Sequence, residues 1–586
     1  MIEYQIAGVY MDEKRRRKVL LVGAEDEENL AIRYLGAELQ EKGHNTRIVP
    51  CSNNNDFSGV LKELKSFHPD LVAVSMAFQS LAPMFLELIH KIKETTPEVH
   101  VTVGGHFPTF EFERLLKYET IDSVIRFEGE HSIAKLADAL VNDKSSFNEL
   151  KLDKNSSNIP KSLSNIPNLD KNLSKIPNLV YKSTGDNPTI KENPIIAEFP
   201  DLDDLPFPLR NKKPHTRLGE RFATLITSRG CFHSRCIYCC IGAFHKQKTG
   251  LPYSLRSPEN VAREMGELYQ HHKVRLFQFH DDNFLLPTKK NSYARLTSLK
   301  KSLIAEGVEL EDIALLIKTR PDGIDQDILT LLEEMGTVGV FLGVENASDS
   351  GLRALARSST ADEINHSLKL LEDFNMGVTF NLLMFHPRAT LDEINENINF
   401  MNKNKNLAFD FGRAEIVAGS PLEQLVKRKG LLRGHWPHWD YQIQDDAVEK
   451  MFRLNALTFY RENSPYPDLS HKLIALSYRS NLLQHFYPGK KSGKLQAETI
   501  CLIRDTNEFT LQSLLEIYSL VAERIIEDDV NNLSQEMNVF YENSTKNASE
   551  LAEKMGRFQL VEKKFQDRGV GDYFQNSPTL GKIFRI

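Results

Sequence analysis

The sequence predicts two successive α/β units followed by a mostly helical region, and three observations predict it. Residues 18–142 alternate short, continuously apolar strands with amphipathic segments, a second alternation begins at Phe222, and strand signals fade after Leu432. Strands that are apolar along their whole length are buried on both faces, which calls for a parallel sheet covered by helices. The boundaries read from these shifts are a first domain over 1–145, a linker over 146–215, a second α/β domain over 216–432 and a helical domain over 433–586.

In the first unit the strands are expected at Val19–Val22, Thr46–Val49, Leu71–Val74, Val101–Val103 and Ser123–Ile125. Between them lie segments such as Leu81–Ile92, with Leu81, Phe85, Leu88 and Ile92 at helical spacing. Right-handed crossovers then give an open, doubly wound, Rossmann-like sheet whose ligands sit at the carboxyl ends of the strands. Ser75 follows the third strand there, and Gly104-Gly105-His106 the fourth. Paired glycines permit a close backbone approach, either in a tight turn or against a ligand. No Gly-x-Gly-x-x-Gly follows the first strand, which argues against a nicotinamide dinucleotide.

The linker opens with a degenerate repeat, Asn158-Ile-Pro160, Asn165-Ile-Pro167 and Lys175-Ile-Pro177, too short for a solenoid unit. Asp201–Pro208 is a proline-stiffened approach to the next domain. From there strands are expected at Ala223–Thr227, Arg275–His280, Ala314–Thr319, Val338–Gly343, Gly377–Met384 and Phe409–Val417, with helices such as Pro258–Tyr269 and Ala361–Phe374 between them. Six such units predict a partial (β/α)6 barrel, with its chemistry on the loops after the strands. Beyond it, Gly434–Asp440 holds both tryptophans and reads as a buried aromatic hinge, and Leu511–Ile526 as one of several helices.

Composition narrows the function. A net charge of −7 argues against general nucleic-acid binding, and the basic run Lys14–Lys18 reads as a solvated turn. No stretch reaches the apolar length of a membrane span, and the first residues lack a signal-peptide pattern. Four of the six cysteines, Cys231, Cys236, Cys239 and Cys240, fall on one loop directly after the first strand of the second unit. That clustering is no disulfide framework, so the expected setting is cytoplasmic and the thiols are metal-binding or reactive. Zinc sites usually pair two distant Cys-x-x-Cys units, whereas Cys51 and Cys501 are isolated here. A cluster held by three cysteines leaves one iron open for another ligand.

Thr227-Ser-Arg-Gly-Cys231, followed by Cys236-Ile-Tyr-Cys239, resembles the cluster loop of radical AdoMet (radical SAM) enzymes. The usual spacing is Cys-x3-Cys-x2-Cys; here the first gap holds four residues, Phe232 to Arg235, a variant that also occurs in members with a cobalamin domain. The resemblance implies a 4Fe-4S cluster on Cys231, Cys236 and Cys239. Cys240 stays open as an alternative third ligand, although the family's Cys-x2-Cys element favours Cys239. Tyr238 would pack near the AdoMet adenine.

Further segments resemble the same family in the same order. Arg256–Val261 resembles the start of the helix after the cluster loop. Phe279-His-Asp-Asp-Asn-Phe284 implies AdoMet contacts through Asp281 and Asp282, and Lys318-Thr-Arg320 and Leu342-Gly-Val-Glu345 imply carboxylate and ribose contacts through Arg320 and Glu345. Gly419-Ser-Pro-Leu422 resembles the turn after the sixth strand. Taken singly, Asp281 and Asp282 could instead cap a helix and Glu345 could be a paired core carboxylate.

The first domain resembles the cobalamin-binding module found ahead of the radical barrel in one large subclass, with Ser75, Gly104 and Gly105 at the positions that meet the nucleotide tail. The Asp-x-His-x-x-Gly motif that supplies a lower cobalt ligand is missing, and Asp26-Glu-Glu-Asn-Leu-Ala stands in its place. His106 lies close to the tail site but on a different motif.

The resemblance implies a methyltransferase that acts on an unactivated carbon through a 5'-deoxyadenosyl radical and methylcobalamin, with the C-terminal helices as a lid. It also implies an external one-electron reductant of flavodoxin or ferredoxin type and a small-molecule or peptide substrate. The rival readings are a cobalamin-dependent radical enzyme catalysing cyclisation, ring rearrangement or oxidation, a radical enzyme whose first domain is a bare Rossmann-like adaptor, and a non-enzymatic metal-binding interaction protein. No residue is assigned a catalytic role from the sequence.

Overall fold

The computed structural model describes residues 16–25, 27–140, 169–184, 187–195, 201–249, 252–374, 376–460, 464–522 and 527–567. In chain order the strands are β1 (Lys18–Gly23), β2 (Asn45–Pro50), β3 (Leu71–Ser75), β4 (His100–Gly104), β5 (Ser123–Ile125), β6 (Leu179–Lys182), β7 (Ile190–Glu192), β8 (His215–Arg217) and β9 (Glu220–Leu225). There follow β10 (Ser228–Gly230), β11 (Tyr253–Leu255), β12 (Leu276–Phe279), β13 (Ala314–Thr319), β14 (Thr337–Glu345), β15 (Gly377–Phe385), β16 (Ala408–Arg413), β17 (Leu432–His435) and β18 (His438–Tyr441). The chain forms two compact units. One comprises Met1–Lys213, Ser228–Ser257 and Glu415–Tyr441, and the other Pro214–Thr227, Pro258–Ala414 and Gln442–Ile586. Contacts therefore divide the chain differently from the sequential domains that composition suggested: the segments 228–257 and 415–441 pack with the first unit.

The first unit is built on a sheet of order β2-β1-β3-β4-β5-β6-β7, and β1 to β5 are parallel. This is a doubly wound sheet of the kind expected, with the five strands where the apolar runs placed them. Leu20, Val22, Val72, Val74, Val101 and Val103 enter one buried cluster, while Val19, Leu21, Leu71 and Ala73 enter another. The alternation shows that both faces of the sheet are covered.

The predicted linker is corrected in its second half. A helix at Leu169–Leu173 and the antiparallel strands β6 and β7 extend the sheet beyond β5. Leu169, Leu173 and Ile176 are at most 3% exposed and anchor this extension, and Asn193 Nδ2 donates to the carbonyls of Leu173 (2.6 Å) and Ile176 (2.7 Å). Short apolar stretches interrupted by Asn and Pro concealed these elements in the sequence. The repeats at 158–160 and 165–167 lie outside the described residues.

Within this core, His100 at the start of β4 is 3% exposed and its Nε2 lies 2.8 Å from Ser123 Oγ. Burial lowers its pKa from 6.5 to about 4, so the ring is neutral in the fold. The unfolded chain then binds more protons between those values, and stability present above pH 6.5 is lost as the pH falls towards 4. The expected loss is about 3 kcal/mol. Urea unfolding at several pH values, compared with His100→Gln, checks it: the acid limb should flatten in the variant.

The second unit carries a sheet of order β16-β15-β14-β13-β12-β9-β8. Strands β9 and β12 to β16 are parallel and run in sequence order, and β8 pairs antiparallel with β9. Its edge strands β16 and β8 do not pair with each other. Phe380 of β15 packs on Phe400 of the helix Leu391–Lys403, with ring centroids 5.5 Å apart. On the opposite face the helix Tyr466–Phe486 lies so close that a Cβ on Gly339 would stand 2.6 Å from Tyr478, and one on Gly377 2.0 Å from Asn481.

The C-terminal region is helical as expected, with helices Asp446–Phe459, Tyr466–Phe486, Lys490–Ala522 and Glu527–Asp567. Residues 523–526 of the predicted Leu511–Ile526 helix lie outside the described residues. No described helix is long and apolar enough to cross a membrane. The expected aromatic hinge is instead the antiparallel hairpin β17–β18, with the pair Trp436-Pro437 at its turn. Gly434 in this segment has φ 75°, which suits a tight reversal rather than a helical entry.

Candidate active site

The cysteine loop is closed at its base by β10 and β11, paired in the register Gly230↔Tyr253. Gly230 has φ 87°, and a Cβ there would lie 2.3 Å from the Pro252 carbonyl. No other residue fits the position. The Cys231 N–H donates to the same carbonyl at 3.1 Å, and the Cys239 N–H to the Cys236 carbonyl at 3.3 Å. Cys240 opens the next helix, Ile241–Thr249, its carbonyl accepting from the Phe244 N–H at 2.9 Å. Cys231, Cys236 and Cys239 are partly exposed, whereas Cys240 is buried at 8% exposure. The loop thus holds three partly exposed cysteines and one buried one. No three His, Cys, Asp or Glu side chains among the described residues form a single-ion site. The turn Gly419–Leu422 meets this loop, with the Leu422 N–H donating to the Ile237 carbonyl at 2.7 Å.

The loop packs on the first sheet's domain through contacts that sequence reasoning missed. Arg229 Nη2 lies 2.6 Å from Glu130 Oε1, with side chains 14% and 6% exposed. Burial would lower the arginine's pKa, but Glu130 and Glu128 outweigh it and hold the group charged. His245 Nδ1 lies 3.5 Å from Glu128 Oε1. The Phe244 ring meets His106 at 4.6 Å and Phe127 at 5.3 Å. Partners about a hundred residues apart leave no local signature, so nothing in the sequence marked them.

The strand-end positions form one rim. Ser75 is in register with Gly23 on one side and Gly104 on the other, and the Met76 N–H donates to the Gly104 carbonyl at 2.8 Å. Gly105, with φ 113°, precedes the helix His106–Leu115, and a Cβ on it would stand 3.2 Å from the backbone of Met76 and Ala77. Along that helix, Trp436 Nε1 donates to Glu111 Oε2 at 2.7 Å and the ring packs 5.9 Å from Phe107. Tyr238 is partly buried on the cysteine loop, in the same unit as Ser75, Gly104 and Gly105.

In the second unit, Asp281, Asp282, Arg320 and Glu345 all stand at the carboxyl ends of β12, β13 and β14. Asp281 is fully buried, and its carboxylate accepts from the Thr227 N–H (3.1 and 3.0 Å) and hydroxyl (2.7 Å). It pins the chain four residues before Cys231. Asp282 beside it is partly exposed. Arg320 is 4% exposed and pairs through Nε and Nη2 with Asp322 at 2.9 and 2.7 Å. Asn283, not singled out in the sequence, accepts from the Arg320 N–H at 3.0 Å and so joins the ends of two strands. Glu345 is half-buried with φ 65°, and the Asn346 N–H donates to the Val344 carbonyl at 2.8 Å across it. A three-residue turn with positive φ at a glutamate is a strained backbone of the kind found at ligand sites.

Residues 16–137 match the B12 binding domain family, and residues 225–401 the Radical SAM superfamily. An uncharacterized methyltransferase of Pyrococcus horikoshii is 24% identical over 450 residues, covering 74% of this chain and 87% of the relative. The anaerobic magnesium-protoporphyrin IX monomethyl ester cyclase of a Synechocystis species is 25% identical over 353 residues, 59% of this chain and 62% of the relative. Among solved structures, the cobalamin-dependent S-adenosylmethionine radical enzyme OxsB superposes with a TM-score of 0.58 at 16% identity, covering 93% of this chain and 85% of that one. The methyltransferase TsrM of Kitasatospora setae gives 0.56 at 18% identity over 72% and 77% of the two chains; at these identities the likeness is one of fold. A B12-binding domain and a radical SAM domain on one chain, at the rim and the cysteine loop just described, make this protein a member of the cobalamin-dependent radical SAM enzymes, with cobalamin, S-adenosylmethionine and a 4Fe-4S cluster as its cofactors.

Proposed function

We propose that the protein is a methyltransferase that methylates an unactivated carbon of a small molecule or peptide, with Cys231, Cys236 and Cys239 as the cluster ligands. The observation that carries the ligand assignment is the exposure pattern of the loop: Cys231, Cys236 and Cys239 partly exposed, and Cys240 buried at a helix start. Methylation is supported by the P. horikoshii methyltransferase, whose match covers more of both chains than the cyclase match does. The cyclase relative supports the second reading, a non-methylating cyclisation or rearrangement.

The residues present fit the cofactors. Three soft thiolates suit iron and leave one cluster position for AdoMet. Gly105 lets the turn after β4 lie close against the Met76–Ala77 backbone and so shapes the rim that a tail would approach. When bound, the cofactors supply radical generation and a transferable methyl group. The chain contributes position: Asp281 holds Thr227 and with it the entry to the cysteine loop, while Asp282 and Glu345 are the carboxylates at the strand ends suited to the amino and ribose groups of AdoMet. Arg320, engaged by Asp322, acts by fixing its strand end. Tyr238, beside Cys239, is suited to the adenine, and Ser75 and Gly104 to the cobalamin tail. A flavodoxin- or ferredoxin-type reductant would deliver the electron.

Gly105→Ala is expected to weaken hydroxocobalamin binding strongly, because the alanine faces both a positive φ and a backbone contact at 3.2 Å. Its iron content should equal that of wild type, and absorbance after gel filtration reads both. To test the function itself, the reconstituted enzyme is supplied with candidate substrates and its products are analysed. Methylation consumes a second AdoMet and yields S-adenosylhomocysteine together with 5'-deoxyadenosine. Substrate conversion with 5'-deoxyadenosine alone would establish the second reading.

A further inference from the structure

We propose that Phe78 is a cobalamin contact, an aromatic side chain on the rim that packs against the corrin macrocycle. At 65% exposure it is the most exposed of the large hydrophobic side chains described. It stands three residues after Ser75, between Met76 and Ala82, which are both fully buried. The Met76–Ala77 backbone is the surface that Gly105 lies against, so Phe78 continues directly from the glycine rim.

A single exposed apolar residue is ordinary by itself. Phe78 is also held in place. The next residue, Gln79, is fastened by three hydrogen bonds. Its Nε2 donates to the carbonyls of Pro437 (2.5 Å) and Ile416 (3.4 Å), and its Oε1 accepts from the Ala418 N–H at 3.0 Å. The backbone of Phe78 is extended, with φ −103° and ψ 123°. A tethered loop therefore holds an aromatic ring in water, at the carboxyl edge of the sheet where this fold binds ligands. A corrin is a broad ring edged with methyl groups and amide arms, and covering the phenyl ring with it removes apolar surface from water without reorganising the loop.

The inference rests on the cobalamin reading of this domain, and the test separates the two. Hydroxocobalamin is titrated into the full-length apoprotein, wild type and Phe78→Ala, and bound cofactor is read by absorbance after rapid filtration. Because Phe78 is exposed, the variant should unfold at the wild-type temperature without cobalamin, and the stabilisation that cobalamin confers should shrink. Its dissociation constant should rise at least about tenfold, the loss of one buried aromatic contact. In Phe78→Trp the added indole emission should be quenched by hydroxocobalamin. Dissociation constants within twofold of each other, with no quenching in the tryptophan variant, would overturn the inference while leaving the cobalamin domain standing. A wild-type protein that binds no hydroxocobalamin would overturn both.

Discussion

Cys236→Ala is expected to abolish reductive cleavage of AdoMet and to leave hydroxocobalamin binding at the wild-type level. The two properties separate because the thiol lies on the cysteine loop, whereas the glycine rim is built from β3, β4 and the turn after β4. Cys231→Ala and Cys239→Ala should behave alike, since a cluster deprived of one of three ligands has no fourth protein ligand to replace it. Cys240→Ala should retain cleavage. Cys240 is buried at the start of a helix, so the change is expected to remove a small buried group rather than a ligand. Anaerobic assay of 5'-deoxyadenosine with dithionite, alongside iron and cobalamin content, checks all four. Loss of iron in Cys240→Ala with retention in Cys239→Ala would exchange the two assignments.

The second large effect is expected from Arg229→Met. The change leaves Glu130 buried without the guanidinium that neutralises it, and breaking a buried pair from one side costs about 3–5 kcal/mol. Glu130 begins the helix Glu130–Ala139, and Arg229 stands two residues before Cys231, so the loss falls on the seating of the cysteine loop. Denaturant unfolding should show the destabilisation. Adding Glu130→Gln should recover part of it, because the orphaned charge is then removed. A pair on the surface would show neither effect, and its loss would lie within about 1 kcal/mol.

How far the sequence could be read depended on whether a signal was local. Both runs of parallel strands were legible, because Val19–Val22 or Ala314–Ile317 is buried on two faces and so carries its apolarity without interruption. The cysteine loop was legible by spacing alone. The strands β6 and β7 were not, since β7 is fully exposed and β6 sits among Asn, Pro and Lys. The hairpin β17–β18 escaped notice for a similar reason: its two strands are four residues each, exposed or partly exposed except at Tyr441, and carry no alternating pattern.

Asp281, Asp282, Arg320 and Glu345 stand at strand ends as their motifs suggested, but their partners were not foreseeable. Asp281 reaches back to Thr227 across more than fifty residues, and Arg320 turns to Asp322. The packing of Phe244 on His106 and Phe127 joins the cysteine loop to the first domain across more than a hundred residues. Such pairs appear only once the chain is folded.

The most direct test is anaerobic reconstitution of the wild-type chain with iron, sulfide and hydroxocobalamin, followed by metal analysis and addition of AdoMet with a reductant. One 4Fe-4S cluster and one cobalamin per chain, with 5'-deoxyadenosine formed on reduction, is the predicted result. Zinc in place of iron, or a fully loaded protein that forms no 5'-deoxyadenosine, would contradict it.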